Sequence, residues 1–372
     1  MRAQVLEAFN QPYKLRERQP PGPPTGVDLL IRVLAASYCH TDAVLVAGHR
    51  SPYLPRVGSH EFAGEIVEKG PEVNPSYGLE IGTRVGVPAR AYRPCGSCFE
   101  CRNSAPDPPS YSVFCSKSQA VGLDVDGGFQ DYCIVDSRQV VQLPSSMSPV
   151  DAAPLMCAGL TVWNALLRAG IPLQENGGES KTIGILGAGG GLGHLGIQIA
   201  TNLGCKVVAI EAGDRPLKLV KDIVVGLGNK SQLVTIVDAR SQQPEEVRRE
   251  ACGESPVGIK GEVGLDGIIV LPENQAAFDF GMALLKDHAT CVVVSFPEGG
   301  FRVSGRDLIF RDIKVIGCLV GTITQLRKLL DFAVTHNVRA ITKTYPLSSL
   351  NTLVEDYHAG LGGKLVVDLT LP

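Results

Sequence analysis

Short runs in which apolar and polar residues alternate fill the chain up to about residue 155. Examples are "DLLIRVLAAS", "GEIVEKG" and "DYCIVD", and clusters of Gly and Pro separate them. Alternation with a period of two is typical of strands that bury one face. The pattern therefore predicts an irregular, β-rich domain in this part of the chain.

The pattern changes near Ala152, where a long helical stretch begins that ends before Gly170 and Pro172. Beyond it, buried apolar strands such as "TIGIL" and "LDGIIVL" alternate with helical stretches until about Gly321, where mixed helix and strand return. Alternating strands and helices predict βαβ units and a parallel sheet. We therefore predict an α/β protein with two domains, one formed by residues 1–157 and 321–372 and the other by residues 158–320.

Net charge, apolar runs and cysteine count exclude several classes of protein. The 372 residues carry a formal net charge of −3, which argues against nucleic acid or an anionic membrane as the main partner. The N-terminus lacks a signal-peptide pattern, and no run of about 18 apolar residues occurs, so we expect a cytoplasmic protein with reduced thiols. Eleven cysteines in such a protein are better explained by metal than by disulfides, and their odd number rules out full pairing.

Three cysteines, Cys95, Cys98 and Cys101, are separated by two residues each, and Cys115 follows. Thiolates at this spacing can surround one ion at about 2.3 Å, and a fourth thiolate closes the tetrahedron, so the site has a structural role. Unrelated loop cysteines rarely show this spacing. An iron–sulfur cluster remains an alternative to zinc, because thiolates bind both.

A second set of residues, Cys39, His60 and Cys157, lies in three separate segments. A lone His or Cys is more often a core residue than a ligand. Together, however, two thiolates and one imidazole leave a fourth position for water or substrate, which is the composition of a catalytic zinc site.

Seven segments occur in the order and spacing of one family: "CHTD", "SHEFAGEIV", "CGSCFEC", "VDGGFQDYC", "APLMCAGLTV", "GAGGGLGHLGIQIA" and "GKLVVDL". With them the chain resembles the zinc-dependent medium-chain alcohol dehydrogenases, most closely their shorter microbial members. The resemblance implies a GroES-like β-rich catalytic domain and a Rossmann domain with a doubly wound parallel sheet, with the active site in the cleft between them. It also implies two zinc ions per chain, a catalytic one on Cys39, His60 and Cys157 and a structural one on the four cysteines.

The chain departs from the family pattern in one loop: thirteen residues separate Cys101 from Cys115, where the family usually has seven. Because the entropic cost of closing a loop grows slowly with its length, the longer loop need not prevent Cys115 from reaching the metal.

A glycine-rich turn follows the strand "TIGIL" and opens a helix that leads to a second strand. This context predicts a dinucleotide site, in which backbone amides at the helix N-terminus hold the pyrophosphate. The predicted cofactor-binding residues of the turn are Gly187, Gly189, Gly190, Gly191, Leu192 and Gly193. Ala188 replaces the first glycine of the usual pattern.

Glu211, at the end of the second strand, favours NAD over NADP, because a carboxylate there accepts hydrogen bonds from the ribose and repels a 2′-phosphate. Arg215, four residues later, softens that preference. By the resemblance, His40 and Lys364 are further cofactor-binding residues, and Lys364 stands where the family usually has Arg.

The resemblance also assigns catalytic roles around the zinc. Thr41 takes the substrate proton, Asp42 orients His60, and Glu61 lies behind the metal. Val44 stands where many members have a histidine that passes the proton to solvent. The proton then leaves through the cofactor ribose and water, or through His49.

The implied reaction is the interconversion of an alcohol and its aldehyde or ketone by hydride transfer to NAD, in a homodimer or homotetramer. Family analogy places the substrate pocket near Tyr53, Leu54, Ala91, Tyr92, Trp163 and Ser295, with room for alcohols larger than ethanol.

One alternative function is that of an NADP-preferring aldehyde reductase of the cinnamyl-alcohol type, against which Glu211 argues. A polyol dehydrogenase is disfavoured because Cys157 is intact. A zinc-held NAD-binding sensor or scaffold without turnover also remains open.

Overall fold

The computed structural model describes residues 1–49, 53–89, 92–103, 111–254 and 261–372. The chain forms two compact units. The first unit comprises Met1–Leu160, Val320–Ala359 and Lys364–Pro372, and the second comprises Thr161–Leu319 and Gly360–Gly363.

The described strands and helices follow the alternation expected from the sequence. The strands are β1 (Arg2–Leu6), β2 (Lys14–Glu17), β3 (Asp28–Ser37), β4 (Arg56–Val57), β5 (Phe62–Lys69), β6 (Arg84–Val87), β7 (Tyr132–Asp136), β8 (Val141–Gln142), β9 (Thr182–Leu186), β10 (Lys206–Glu211), β11 (Val234–Asp238), β12 (Leu265–Val270), β13 (Leu285–Val293), β14 (Lys314–Gly317), β15 (Thr342–Tyr345) and β16 (Lys364–Asp368). The α-helices are α1 (His40–Val46), α2 (Phe99–Asn103), α3 (Pro149–Ala152), α4 (Ala158–Arg168), α5 (Gly193–Asn202), α6 (Asp214–Gly226), α7 (Pro244–Cys252), α8 (Gln275–Leu284), α9 (Gly305–Phe310), α10 (Ile323–Thr335) and α11 (Leu350–His358). The 3₁₀ helices are Pro75–Tyr77, Ser137–Gln139, Ala153–Met156, Gly228–Leu233 and Leu347–Ser349.

The first unit is β-rich, as its alternating pattern predicts. Its described strands form a small sheet in the order β2-β1-β4 and a larger one in the order β15-β16-β3-β5-β6-β8, in which β7 also pairs with β3. Strand β3 shows why alternation is a reliable signal: Arg32 is exposed, while its neighbours Ile31 and Val33 are buried. The central strand β3 pairs antiparallel with β5, β7 and β16, so segments distant in sequence meet at its ends.

The second unit is built on a parallel sheet. Its described strands follow the order β11-β10-β9-β12-β13-β14, and every pair is parallel. Strands such as β9 and β12 are almost continuously apolar and buried, as expected for a sheet covered on both faces. Strand β9 lies between β10 and β12, so the strand order reverses beside it, and ligands of such sheets bind where this reversal occurs.

Within the described ranges, no single helix combines the length and apolar character needed to cross a membrane. The helical stretches Pro149–Met156 and Ala158–Arg168, bent by 44° at the break between them, meet that criterion only as a pair.

Candidate metal and nucleotide sites

Three predicted ligands from distant parts of the chain meet in the first unit. Donor atoms of Cys39, His60 and Cys157 lie within 4.8 Å of one another. All three side chains are buried, and neither cysteine is in a disulfide. The folded chain thus places two sulfur atoms and one imidazole close enough together to bind one metal ion.

The sheet explains how two of these ligands meet. Strands β3 and β5 pair antiparallel with Ala36 opposite Phe62, so the chain leaves β3 next to the place where it enters β5. Cys39 lies just after β3, and His60 lies just before β5. Cys157 is the residue that ends the 3₁₀ helix after α3, and that helix packs against both strands.

Asp42 fixes the backbone around two ligands. One carboxylate oxygen accepts a hydrogen bond from the Cys39 amide at 2.9 Å, and the other accepts from the Ser59 amide at 2.8 Å. The His60 Nδ1 atom lies 3.8 Å from Asp42 Oδ2, which is longer than a hydrogen bond. Asp42 therefore positions the neighbours of His60 through backbone bonds, and it acts on the imidazole through its charge.

Glu61 and Lys364 form a buried ion pair beside the cluster. Glu61 Oε1 accepts a hydrogen bond from Lys364 Nζ, and Oε2 accepts one from the Ala158 amide at 3.3 Å. Lys364 Nζ also donates to the Tyr38 carbonyl at 2.8 Å. Lys364 was predicted as a cofactor contact, but its ammonium group is engaged inside the first unit.

The electrostatic surroundings favour a cation at the cluster. Burial opposes protonation of His60, but the nearby Asp42 carboxylate and Cys39 thiolate raise its pKa to about 9. A hydrogen bond from Cys157 lowers the pKa of Cys39, so one thiolate forms readily. Burial raises the pKa of Glu61 to about 7, although Lys364 opposes the shift.

The donor chemistry of this cluster fits a zinc ion. Two thiolates and an imidazole are ligands that zinc prefers, and three protein ligands leave one position open. Deprotonation of the two cysteines on metal binding would supply the negative charge that a buried divalent cation needs. Within the described part of the chain, His60 Nδ1 is buried without a hydrogen-bond partner.

The four cysteines of the second predicted metal site also converge. Their sulfur atoms all lie within 4.8 Å of one another, and Cys101 and Cys115 are buried. The Cys115 sulfur is 3.7 Å from that of Cys95 and 3.9 Å from that of Cys98, far beyond a disulfide bond. A tetrahedron of sulfur atoms about 2.3 Å from a central zinc has edges of about 3.8 Å, so these distances fit a closed metal site.

Backbone amides hold these sulfur atoms in place. The amides of Ser97 and Cys98 donate to the Cys95 sulfur at 3.4 and 3.2 Å, and these bonds lower the pKa of Cys95 to about 5. The Cys95 amide donates to the Cys115 sulfur at 3.4 Å. The longer spacing before Cys115 therefore does not keep it from the cluster; residues 104–110 of that segment lie outside the described residues.

The glycine-rich turn of the second unit links β9 to α5, as predicted. Gly187 has a φ of +74°, a conformation that favours glycine. A Cβ atom on Gly193 would lie 2.2 Å from the Gly187 carbonyl oxygen, and one on Gly189 would lie 2.3 Å from the Pro216 carbonyl oxygen. Gly190 and Gly191 complete the turn, and Leu192 is the N-cap of α5. The turn therefore depends on small residues at close backbone approaches.

Glu211 ends β10 beside this turn. Its carboxylate accepts hydrogen bonds from the Gly189 amide at 3.0 Å and from the Ala212 amide at 2.9 Å. Arg215 is exposed in the first turn of α6. A carboxylate is thus placed next to the predicted pyrophosphate-binding amides.

Comparison with known proteins agrees with this architecture. Residues 25–145 match the family described as alcohol dehydrogenase GroES-like domain, and residues 191–335 match the zinc-binding dehydrogenase family. An alcohol dehydrogenase of Geobacillus stearothermophilus is 31% identical over 372 residues, covering 99% of both chains. The chain belongs to the zinc-dependent medium-chain alcohol dehydrogenase family.

Two further relatives extend the match. An alcohol dehydrogenase of Moraxella sp. (strain TAE123) is 30% identical over 374 residues and covers 100% of both chains. The solved alcohol dehydrogenase of the archaeon Aeropyrum pernix superposes with a TM-score of 0.82 at 27% identity, covering 99% of this chain and 100% of that one. The predicted family and α/β fold class are therefore confirmed, and the protein is an alcohol oxidoreductase.

The predicted proton acceptor Thr41, the predicted cofactor contact His40 and the two positions discussed for proton transfer lie on or after α1. The Thr41 hydroxyl is 3.8 Å from the Cys39 sulfur, so it borders the three-ligand cluster. His40 is exposed, and its Nδ1 is 3.0 Å from the Tyr357 hydroxyl. Val44 follows one turn later, and His49 is exposed beyond the helix.

The residues suggested for the substrate pocket in the first unit differ in exposure and in their contacts. Tyr53 is 72% exposed, and Leu54 is half-buried. The Tyr92 hydroxyl lies 3.5 Å from Asp28 Oδ2, so this side chain is directed at a buried carboxylate. Ala91 lies outside the described residues.

Two suggested pocket residues belong to the second unit. Trp163 is buried in α4. The Ser295 hydroxyl donates to the Pro272 carbonyl at 2.8 Å.

Sequence reasoning missed two of the contacts that hold the three-ligand cluster together. Ser59, whose amide donates to Asp42, has a φ of +69°, and the sequence prediction assigns it no role. Lys364 was interpreted through its family position alone. The signal was present, because a lysine at the start of the apolar run "KLVVD" is unusual for a strand that is buried along most of its length.

Proposed function

We propose that this alcohol oxidoreductase is an NAD-dependent zinc enzyme that interconverts an alcohol and its aldehyde or ketone. The observation that carries the proposal is the convergence of Cys39, His60 and Cys157, with Thr41 beside them. Names of the matched families and relatives support the same activity.

Cys39, His60 and Cys157 would hold the catalytic zinc, and burial would keep bulk water from the site. Zinc in such a site supplies a Lewis acid that lowers the pKa of an alcohol and polarises a carbonyl. Asp42 keeps the two N-terminal ligand segments fixed through its backbone bonds. Thr41 accepts the substrate proton at Oγ1, because a hydroxyl can both accept and donate.

The second unit would bind the dinucleotide. Backbone amides of Gly191–Gly193 at the end of the turn would hold the pyrophosphate, and Glu211, which also fixes the turn through the Gly189 amide, would bind the ribose and exclude a 2′-phosphate. NAD supplies the hydride acceptor. Since Val44 cannot carry a proton, we propose that the proton leaves through the cofactor ribose and water.

A second zinc on Cys95, Cys98, Cys101 and Cys115 would have a structural role, supported by sulfur–sulfur distances near those of a zinc tetrahedron. We take the first unit as the catalytic domain and the second as the nucleotide-binding domain. Because β14 is the last of the described strands in its sheet and α9 exposes Ile309 and Phe310, we propose that a second copy covers this edge in a homodimer or homotetramer.

Initial rates of nicotinamide reduction test the activity. They should be measured with NAD and NADP, over alcohols of graded size, before and after zinc chelation. We expect turnover that favours NAD, depends on zinc and varies with alcohol size. Preference for NADP with bulky aldehydes would favour the cinnamyl-alcohol type. No turnover by protein that holds two zinc ions and binds NAD would overturn the proposal and favour a sensor or scaffold.

The role of Glu211 has a test of its own. Glu211→Ser is expected to lower the NAD to NADP ratio of kcat/KM about tenfold or more, because the ribose ligand and the repulsion of a 2′-phosphate are both removed. Glu250→Ser, which changes an exposed carboxylate in α7, is the matched control. An unchanged ratio in Glu211→Ser would contradict the assignment.

A further inference from the structure

Lys364 is a buried lysine with no more than 3% of its surface exposed. It is the first residue of β16, and its ammonium group donates to the Glu61 carboxylate and to the Tyr38 carbonyl. Glu61 is fully buried. Removing both charges from water is costly, and replacing such a pair by apolar residues often stabilises a protein. Stability is therefore a weak explanation for this pair.

The bonds of the pair reach the chain neighbours of all three predicted metal ligands. Lys364 binds the carbonyl of Tyr38, the residue before Cys39. Glu61 is the residue after His60, and its second oxygen accepts from the amide of Ala158, the residue after Cys157. One lysine and one glutamate thus connect the three segments from which the ligands come.

Backbone pairing strengthens this connection. The Tyr38 amide donates to the Leu365 carbonyl at 2.9 Å, and the Ser37 amide donates to the Glu61 carbonyl at 2.9 Å. Strand β16 therefore holds the segment before Cys39 both through its backbone and through the side chain of Lys364. The segments carrying Cys39, His60 and Cys157 are far apart in sequence, so tertiary contacts must set the spacing of their donor atoms.

We propose that Lys364, acting through Glu61, is a positioning residue that holds the three metal-ligand segments in register, and that it does not contact the pyrophosphate of the dinucleotide. The proposal rests on the proposed function in taking Cys39, His60 and Cys157 as metal ligands. An ammonium group that is buried and already donates to a carboxylate and a carbonyl is poorly placed to bind a phosphate. Lys364 therefore positions the metal-ligand segments in this chain, whereas the resemblance to the family implies a cofactor contact at the same position.

The test compares metal retention with NAD binding in variants of the full-length zinc-loaded protein. Lys364→Met is expected to weaken zinc binding at the three-ligand site about 10–100-fold, as loss of a residue that orients metal ligands does. Native mass spectrometry during titration with a chelator counts the remaining ions. We expect one zinc to leave earlier than in the unchanged protein, while the dissociation constant for NAD stays unchanged.

The matched control is Lys343→Met. Lys343 lies on β15, which pairs with β16, but it is exposed, and its ammonium group donates to the partly buried Asp356 carboxylate at 2.6 Å. This variant should retain both zinc ions with unchanged affinity. Lys364→Arg keeps the charge, so it should recover part of the lost zinc affinity, which a general weakening of the fold would not explain.

Two further measurements keep the proposal testable if Lys364→Met folds poorly. Glu61→Gln/Lys364→Met removes both charges together, so no unpaired charge is buried, and it should show the same early loss of one zinc. With Co²⁺ in place of zinc, the absorption bands of the three-ligand site should shift in this double variant, because its ligands are no longer held in the same geometry.

Zinc retention and NAD affinity together distinguish a positioning role of Lys364 from a phosphate-binding role. If Lys364→Met retains zinc like the unchanged protein but its dissociation constant for NAD rises about tenfold or more, Lys364 is a phosphate contact and the proposal is overturned. Unchanged zinc retention together with unchanged NAD binding would overturn it as well. If the unchanged protein binds no metal at the three-ligand site, the proposed function fails first, and this result is seen before any variant is made.

Discussion

The two cysteine clusters of the first unit are held by different means. The four-cysteine cluster comes mostly from one short stretch, Cys95–Cys101, and its sulfur atoms accept hydrogen bonds from nearby amides. The three-ligand cluster is buried, comes from three distant segments, and is surrounded by Asp42, Glu61 and Lys364. A local turn therefore positions most of the first set of sulfur atoms, whereas the second set depends on charged residues from distant parts of the unit.

The largest expected effect comes from removing a ligand of the buried cluster. Cys157→Ala should abolish alcohol turnover and reduce zinc from about two ions to about one per chain, because two remaining ligands do not hold the ion for catalysis. Zinc content and initial rates check this. Cys205→Ala, which changes a buried cysteine of the second unit outside both clusters, is the control. Full activity of Cys157→Ala would remove the basis of the comparison.

Removing a ligand of the four-cysteine cluster should act on stability first. Cys98→Ala is expected to lose one zinc and about 3 kcal/mol of folding free energy, since binding energy at a structural site is folding energy. For a unit of this size, such a loss lowers the melting temperature by about 6–12 °C. Calorimetry measures it, and turnover at low temperature should persist. Loss of turnover without a lower melting temperature would contradict the structural assignment.

A smaller effect is expected at Asp42, which supports two ligand segments through backbone bonds. In Asp42→Asn, one amide would face the new NH₂ group in place of an oxygen, so we expect a loss of about 2–3 kcal/mol in the free energy of unfolding. Urea unfolding provides the value. Glu65→Gln, at an exposed pair with Arg32, should cost about 1 kcal/mol or less. Equal losses in the two variants would mean that Asp42 has no special role.

The smallest expected effect concerns the turn within the four-cysteine cluster. Gly96 has a φ of +66°, and its Cβ position would lie 3.2 Å from the Tyr111 ring. Gly96→Ala should cost about 1–2 kcal/mol, because alanine resists this conformation. Zinc should leave the four-cysteine site more readily, while turnover stays unchanged. Gly226→Ala, in the last turn of α6 with open space around it, should cost nothing.

The parts of the fold with strong periodicity were predictable. The buried strands β9, β10, β12 and β13 and the turn before Gly193 follow from apolar runs broken by glycine, because a parallel sheet covered on both faces needs such runs. The convergence of Cys115 was less certain from spacing alone, yet its sulfur lies beside that of Cys95. The convergence is possible because the entropic cost of closing a loop grows only slowly with its length.

The supports of the three-ligand cluster were less predictable. Asp42 was expected to orient the His60 ring, but its hydrogen bonds go to the amides of Cys39 and Ser59. Lys364 was assigned to the cofactor, yet its contacts lie with Tyr38 and Glu61. A sequence shows which residues carry charge, but it does not show which carbonyl or carboxylate a buried ammonium will meet.

By itself, the sequence determined the family, the alternation of strands and helices, and the two sets of candidate metal ligands, because spacing and periodicity are local properties of the chain. Only the tertiary structure decided how Cys39, His60 and Cys157 come together and which residues hold them there. The antiparallel pairing of β3 with β5 and β16 sets those contacts. Such pairing joins segments over long stretches of sequence, and its register depends on how the whole sheet packs.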